Sequence, residues 1–148
     1  MTAEYAIGWR NLWRMNVGDA LDKSVIDHTE RQLLDDRTPL FALLAKTDED
    51  EIVGLLHGVV HPVAGSTQNI CCLQDMYVHP ARRNQGIGSK LLDALTAMGR
   101  AEKWDRVYWL NDISNKLAQE FSKTRAIKID FTFHVLPILM LDKLGVRT

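Results

Sequence analysis

LQDMYVHPARRNQGIGSKLL, residues 73–92, decides how the rest of the chain is read. An apolar-rich strand leads into a basic loop, Arg83-Asn84-Gln85-Gly86-Ile87-Gly88, and the loop leads into an amphipathic helix. A glycine turn that feeds a helix N-terminus presents backbone N–H groups that have no partner inside the helix. Those donors, at the positive end of the helix dipole, suit phosphate. Arg82 and Arg83 add positive charge, and an arginine can hold phosphate oxygens through two hydrogen bonds. The stretch therefore predicts a phosphate- or pyrophosphate-bearing ligand held mainly by backbone.

Two common nucleotide loops fail on spacing. The P-loop needs Gly-Lys-Ser/Thr, whereas Gly88 is followed by Ser89-Lys90. The dinucleotide fingerprint needs a third glycine where this chain has Leu91. What remains is Val78-x-Pro80-x-x-Arg83-x-x-Gly86-Ile87-Gly88-x-x-Leu91-Leu92. This resembles, at every element, the coenzyme A pyrophosphate loop of the GCN5-related N-acetyltransferase (GNAT) superfamily.

Working outward, 148 residues at 46% hydrophobic and 25% charged suit one soluble globular domain spanning 1–148. A net charge of -1 offers no general attraction to nucleic acid or anionic membrane. The N-terminus lacks the apolar core of a signal peptide and no apolar run is long enough to span a bilayer, so the expectation is a cytoplasmic protein. Cys71 and Cys72 lie side by side in an apolar stretch and read as small packing residues on opposite strand faces. No Cys/His spacing suggests a metal site, and the five histidines are scattered.

Along the chain, Trp9, Leu12, Trp13 and Asn16 fall at helical spacing and predict a helix from Ala3 to Met15. Trp9 and Trp13 read as packing residues rather than cleft lining. A second helix ends near Asp35, with Leu21, Val25 and Leu33 inward. Phe41–Lys46 and Ile52–His61 read as a hairpin, with Gly54 and Gly58 inside the second strand and an acidic turn between the two. Asn69–Val78 is the third strand. The helix after Gly88 carries Leu91, Leu92, Leu95 and Met98 on one stripe. Arg106–Leu110 reads as a buried strand. Ser114 reads as the N-cap of a helix running to about Arg125, with Leu117, Ala118 and Phe121 inward. Ile127–Leu136 alternates as a half-buried strand, and the tail from Ile138 reads as a short helix. The whole predicts an α+β fold (an α/β mixed sheet). It is similar to the GNAT acyl-CoA N-acyltransferase fold without that fold's usual first strand.

The resemblance implies an acetyl-CoA-dependent N-acetyltransferase. A primary amine of a small molecule (polyamine-, lysine- or aminoglycoside-like) would attack the thioester directly in a ternary complex. It places pantetheine along Met76, Tyr77 and Val78 like an added strand. The pyrophosphate falls on Arg83, Asn84, Gln85, Gly86, Ile87, Gly88 and Ser89. Asn115 matches the family's asparagine on a later helix. Seven residues further, where the family has a proton-donating tyrosine, this chain has Ser122, a far weaker acid. Gln74-Asp75 resembles the acidic position of the polyamine and histone-related members, and Asp75 is the candidate base for the amine. His79 is a second candidate, while Tyr77, His57 and His61 are weaker candidates for the acceptor cleft. The serine opens an alternative: a catalytically weak or inactive CoA-binding sensor of the same fold. A homodimer is common in the family, and the apolar tail Ile138–Leu144 would suit one.

Overall fold

The apolar spacing of the first helix is met by burial. In the computed structural model, which describes residues 1–130, 132–136 and 138, Ala3–Tyr5 forms a single 3-10 turn that runs into α1 (Ala6–Val17). Ala6, Trp9, Leu12 and Trp13 form its buried face. The chain reverses and α2 (Lys23–Leu33) starts at Asp22, whose carboxylate accepts the Val25 N–H at 3.1 Å. Ile26 and Leu33, two turns apart, are buried, whereas the expected Val25 is exposed.

The strands β1 (Leu40–Lys46), β2 (Ile52–His61), β3 (Ile70–Val78) and β4 (Val107–Tyr108) form one sheet in the order β1-β2-β3-β4. The first two pairings are antiparallel and β3–β4 is parallel, so the sheet is mixed. Between β3 and β4 lies α3 (Ile87–Ala101), the crossover helix. Its buried stripe is Leu91, Leu92, Leu95 and Gly99. Gly99 continues the stripe because Trp104 packs on it; an added Cβ would lie 3.0 Å from the Trp104 ring.

Alternation along the strands sorts side chains onto two faces. Leu40, Ala42, Leu44 and Leu55 join Trp9, Leu12, Trp13, Ile26 and Leu33 in the core under α1 and α2. Gly54 and Gly58 point to the opposite face, where α3 lies: an added Cβ at Gly54 would meet Ile87 and Leu91. At Gly58 it would fall 2.3 Å from the Phe41 ring. Two helices on one side and one on the other make a three-layer sandwich around the central sheet.

The chain divides into two units, Met1–Leu110 and Asn111–Thr148. In the second unit α4 (Lys116–Lys123) is capped by Asn115, not Ser114: the Asn115 side chain accepts the Ala118 N–H at 3.0 Å. Ala118 and Phe121 are half-buried, but Leu117 is exposed.

Two strand readings are corrected. Arg106–Leu110 contributes only Val107–Tyr108 to the sheet, and Leu110 is exposed. Within 127–136 the described residues form no strand, and Ile127, Ile129, Phe133 and Val135 are exposed. Alternation makes a segment competent to be a strand, but only pairing with a neighbour makes it one. Phe131 and the tail helix, apart from Ile138, lie outside the described residues.

Candidate active site

Asp75 owes its position to an irregularity in β3. From Val78 back to Asp75 the register with β2 is regular: Leu55 faces Tyr77 and His57 faces Asp75. It then shifts between His57 and Gly58, so that Gly58 faces Leu73 and Val60 faces Cys71. Gln74 is left over as a bulge. A bulge re-aims the side chains that follow it. Cys71 and Leu73 share the α3 face with Gly58, while Tyr77 packs into the core under α1. Without the extra residue, Asp75 would follow Cys71 and Leu73. With it, Asp75 stands on the α1 face directly opposite His57.

There the two side chains meet. Asp75 Oδ2 is 3.2 Å from His57 Nδ1, and the Trp9 indole N–H donates to His57 Nε2 at 2.7 Å. His57 is 2% exposed and Trp9 fully buried. Trp13 stacks on Trp9 at 5.1 Å and meets the imidazole edge-on. The Asp75 side chain keeps 32% of its surface. Among the described residues it pairs with no lysine or arginine, so its negative charge is not cancelled locally.

After β3, the His79 N–H donates to the Val53 carbonyl at 2.9 Å, and Pro80–Arg82 makes one 3-10 turn. Asn84 and Gly86 then take left-handed conformations, with φ of 61° and 76°. Gly86 is the N-cap of α3, and no side chain caps the helix. Its leading N–H groups thus lack the usual side-chain acceptor, and the space where a Cβ of Gly86 would stand is empty to 4 Å. The arrangement fits an anionic group seated on backbone.

The arginines beside this turn are partly engaged. Arg83 donates through Nε to the Val78 carbonyl at 3.1 Å and lies over the Tyr77 ring. Arg82 reaches Glu51 at 3.3 Å. The other edge of β3 is open. β4 pairs with it only at Cys71–Val107 and Cys72–Tyr108, so Leu73 to Val78 have no ladder partner on that side among the described residues. Met76, Tyr77 and Val78 therefore lie on an unpaired edge that runs into the anion cradle.

The remaining candidates have partners of their own. His79 Nδ1 accepts the Ala81 N–H at 3.3 Å and lines a groove of about 350 Å³ with Glu4, Tyr5, Asp50 and Glu51. Neither Asp75 nor His57 lines that groove. His61 Nε2 is 3.1 Å from the Tyr108 hydroxyl. Within the second unit the Asn111 amide donates to Ser122 Oγ at 2.6 Å, and the Asn115 oxygen is engaged in its cap. Sequence reasoning noted Trp9 as a packing residue and His57 as a weak cleft candidate, but did not join them. The only signal was a histidine alternating with apolar residues on a strand otherwise destined for the core.

Residues 8–124 match the family model described as Acetyltransferase (GNAT) family. The D-amino-acid N-acetyltransferase HPA3 of Saccharomyces cerevisiae is 25% identical over 126 residues, covering 82% of this chain and 78% of that protein. Among solved structures, AAC(6')-Iy in complex with the bisubstrate analog CoA-S-monomethyl-acetylneamine superposes with a TM-score of 0.81. It is 15% identical, over 93% of this chain and 94% of that one. The ribosomal-protein-alanine N-acetyltransferase from Brucella melitensis biovar Abortus 2308 gives 0.77 at 20% identity, over 93% and 96%. At these identities the two structures share the fold.

Proposed function

The chain belongs to the acetyltransferase (GNAT) family and is an N-acetyltransferase, and from that premise we propose that its acceptor is the primary amine of a small cationic molecule, deprotonated at Asp75. The observation that carries the proposal is the adjacency of three features on one strand and its exit: a half-exposed carboxylate, an unpaired strand edge, and an uncapped helix N-terminus. Acetyl-CoA is the family's cofactor, and when bound it supplies an acetyl thioester open to direct attack by an amine. The N–H groups from Asn84 to Ser89 would hold the pyrophosphate at the start of α3. Met76 and Tyr77 would offer backbone groups to the pantetheine amides; the Val78 carbonyl already accepts from Arg83.

Asp75 has two tasks in this reading. Its uncancelled charge attracts an ammonium ion, and its Oδ1, for which no described residue is a hydrogen-bond partner, takes a proton from it. By the sequence resemblance, seven residues after Asn115, Ser122 takes the place of the family's proton donor. A hydroxyl is a far weaker acid than a phenol of pKa about 10, so its help to the leaving thiolate is small. The substrates named for these relatives, D-amino acids and an aminoglycoside, carry amines and define where a search begins.

The test is thiol release from acetyl-CoA across a panel of polyamines, D- and L-amino acids, lysine derivatives and aminoglycosides. Turnover with at least one amine is expected. Asp75→Asn should lower kcat by about 100-fold with little change in the KM for acetyl-CoA, as for loss of a general base. Tight CoA binding without turnover on any amine would overturn the proposal in favour of a sensor.

A further inference from the structure

We infer that Trp9 and His57 are positioning residues for Asp75: the buried indole fixes His57 as the Nδ1–H tautomer, and that proton holds one carboxylate oxygen so that the other faces the amine. The inference rests on Asp75 being the proton acceptor proposed above.

The donor inventory settles the order of the chain. An indole nitrogen can only donate. At 2.7 Å from His57 Nε2, the Trp9 N–H therefore requires a lone pair on Nε2. A neutral imidazole has one N–H, so the proton must sit on Nδ1, which points at Asp75 Oδ2. Every bond then runs one way, from indole to imidazole to carboxylate. An imidazolium would set two N–H groups nose to nose at Nε2, and the other tautomer would do the same while facing a lone pair to the carboxylate at Nδ1. Among the described residues His57 has no other hydrogen-bond partner: it is 2% exposed and is walled by the rings of Trp9 and Trp13.

A neutral donor is what a base in this position needs. A lysine or arginine on Asp75 would cancel the charge that draws in a cationic amine. The imidazole N–H orients the carboxylate while leaving the net charge of the pair at minus one. The three residues come from α1, β2 and β3, and the bulge at Gln74 is what brings Asp75 round to the face of the other two. The core beneath the site therefore has a second function besides packing: it sets which oxygen of Asp75 is held.

The test has a spectroscopic and a kinetic half. Nitrogen-15 NMR of the full chain labelled in histidine, with His57 assigned by its loss in His57→Asn, should show Nδ1 protonated and Nε2 bare. An Nε2–H tautomer or an imidazolium at neutral pH would overturn the inference whatever the enzyme turns over.

In the kinetic half, Trp9→Phe should lower kcat about tenfold with the KM for acetyl-CoA unchanged, the size of one buried hydrogen bond. Because that variant also alters packing, two further variants separate the roles. Asparagine places an amide N–H where Nδ1 stands and can still hold Asp75. Glutamine places its oxygen near Nε2 and serves only Trp9. His57→Asn should retain about tenfold more turnover than His57→Gln. A merely structural histidine predicts the reverse, since glutamine fills more of the space and satisfies the buried indole.

Absence of turnover by the wild type on any amine would sink the functional reading and the kinetic half with it. The tautomer would still be decided by NMR. A correct tautomer with equal kcat for the asparagine and glutamine variants would overturn the positioning role while leaving the acetyltransferase reading intact.

Discussion

Cys71 and Cys72 show how far two adjacent side chains can diverge. Cys71 is fully buried on the α3 face, and Cys72 is half-buried and turned the other way. Burial, with a smaller push from Cys72, raises the Cys71 thiol to about 11. Only the thiolate is a nucleophile. Native protein treated with iodoacetamide at pH 8 should therefore stay unmodified at Cys71, as read by peptide mass spectrometry, and react there only after unfolding. The packing role assigned from sequence holds for this residue. Gly86 was legible as a turn residue, because its left-handed φ of 76° is one that glycine adopts readily. His57 was not legible, since a histidine's role is set by what donates to each ring nitrogen, and both partners here are remote in sequence.

Among the elements, α1 and α2 are joined on their outer side by Arg10, which pairs with both Asp27 and Glu30. Hydrogen bonds from Lys23 and then Arg10 hold the Asp27 carboxyl down at about 2, below its ordinary 3.8. A carboxyl depressed on folding stabilises above its unfolded pKa, and that contribution disappears as pH falls through the folded value. The stability difference between wild type and Asp27→Asn should thus be constant above about pH 5 and vanish as pH approaches 2. Urea titrations across that range would show it, and added salt should shrink it because the pair is near the surface.

The hairpin gives a prediction of the opposite kind. Gly58→Ala would drive a methyl to 2.3 Å from the Phe41 ring, so a loss of about 1–3 kcal/mol is expected in the same titrations. Elements with long periodic stripes, α1 and α3, were legible from sequence alone. The short β4 was legible as a strand but not in extent. The alternating 127–136 stretch was misread, because period 2 reports a competence that pairing must complete.

At the scale of the molecule, the sheet of the first unit separates two tasks. Its α3 side and exit loop present backbone N–H groups; its α1 side holds the carboxylate and the rings behind it. Ligand binding to the folded state raises stability by mass action, about 2.7 kcal/mol at a hundredfold excess over Kd. Saturating CoA should therefore raise the melting temperature of the wild type. In Gly86→Glu the added carboxylate would enter the empty space at the head of α3, so the CoA-induced rise should vanish, with the shift read by differential scanning fluorimetry. An unchanged rise in Gly86→Glu would count against the cradle.

The sequence by itself determined the mixed α+β class, the strand–loop–helix unit at residues 73–92 and the family that unit belongs to. Those depend on local periodicity and on glycines at fixed spacing, which a linear chain states directly. Only the tertiary structure decided which face Asp75 occupies. One extra residue in β3 reverses that face, and a bulge exists only in the pairing of two strands. Only the packing of α1 on the sheet brought Trp9 to His57, because residues 48 apart in sequence become hydrogen-bond partners through the fold alone.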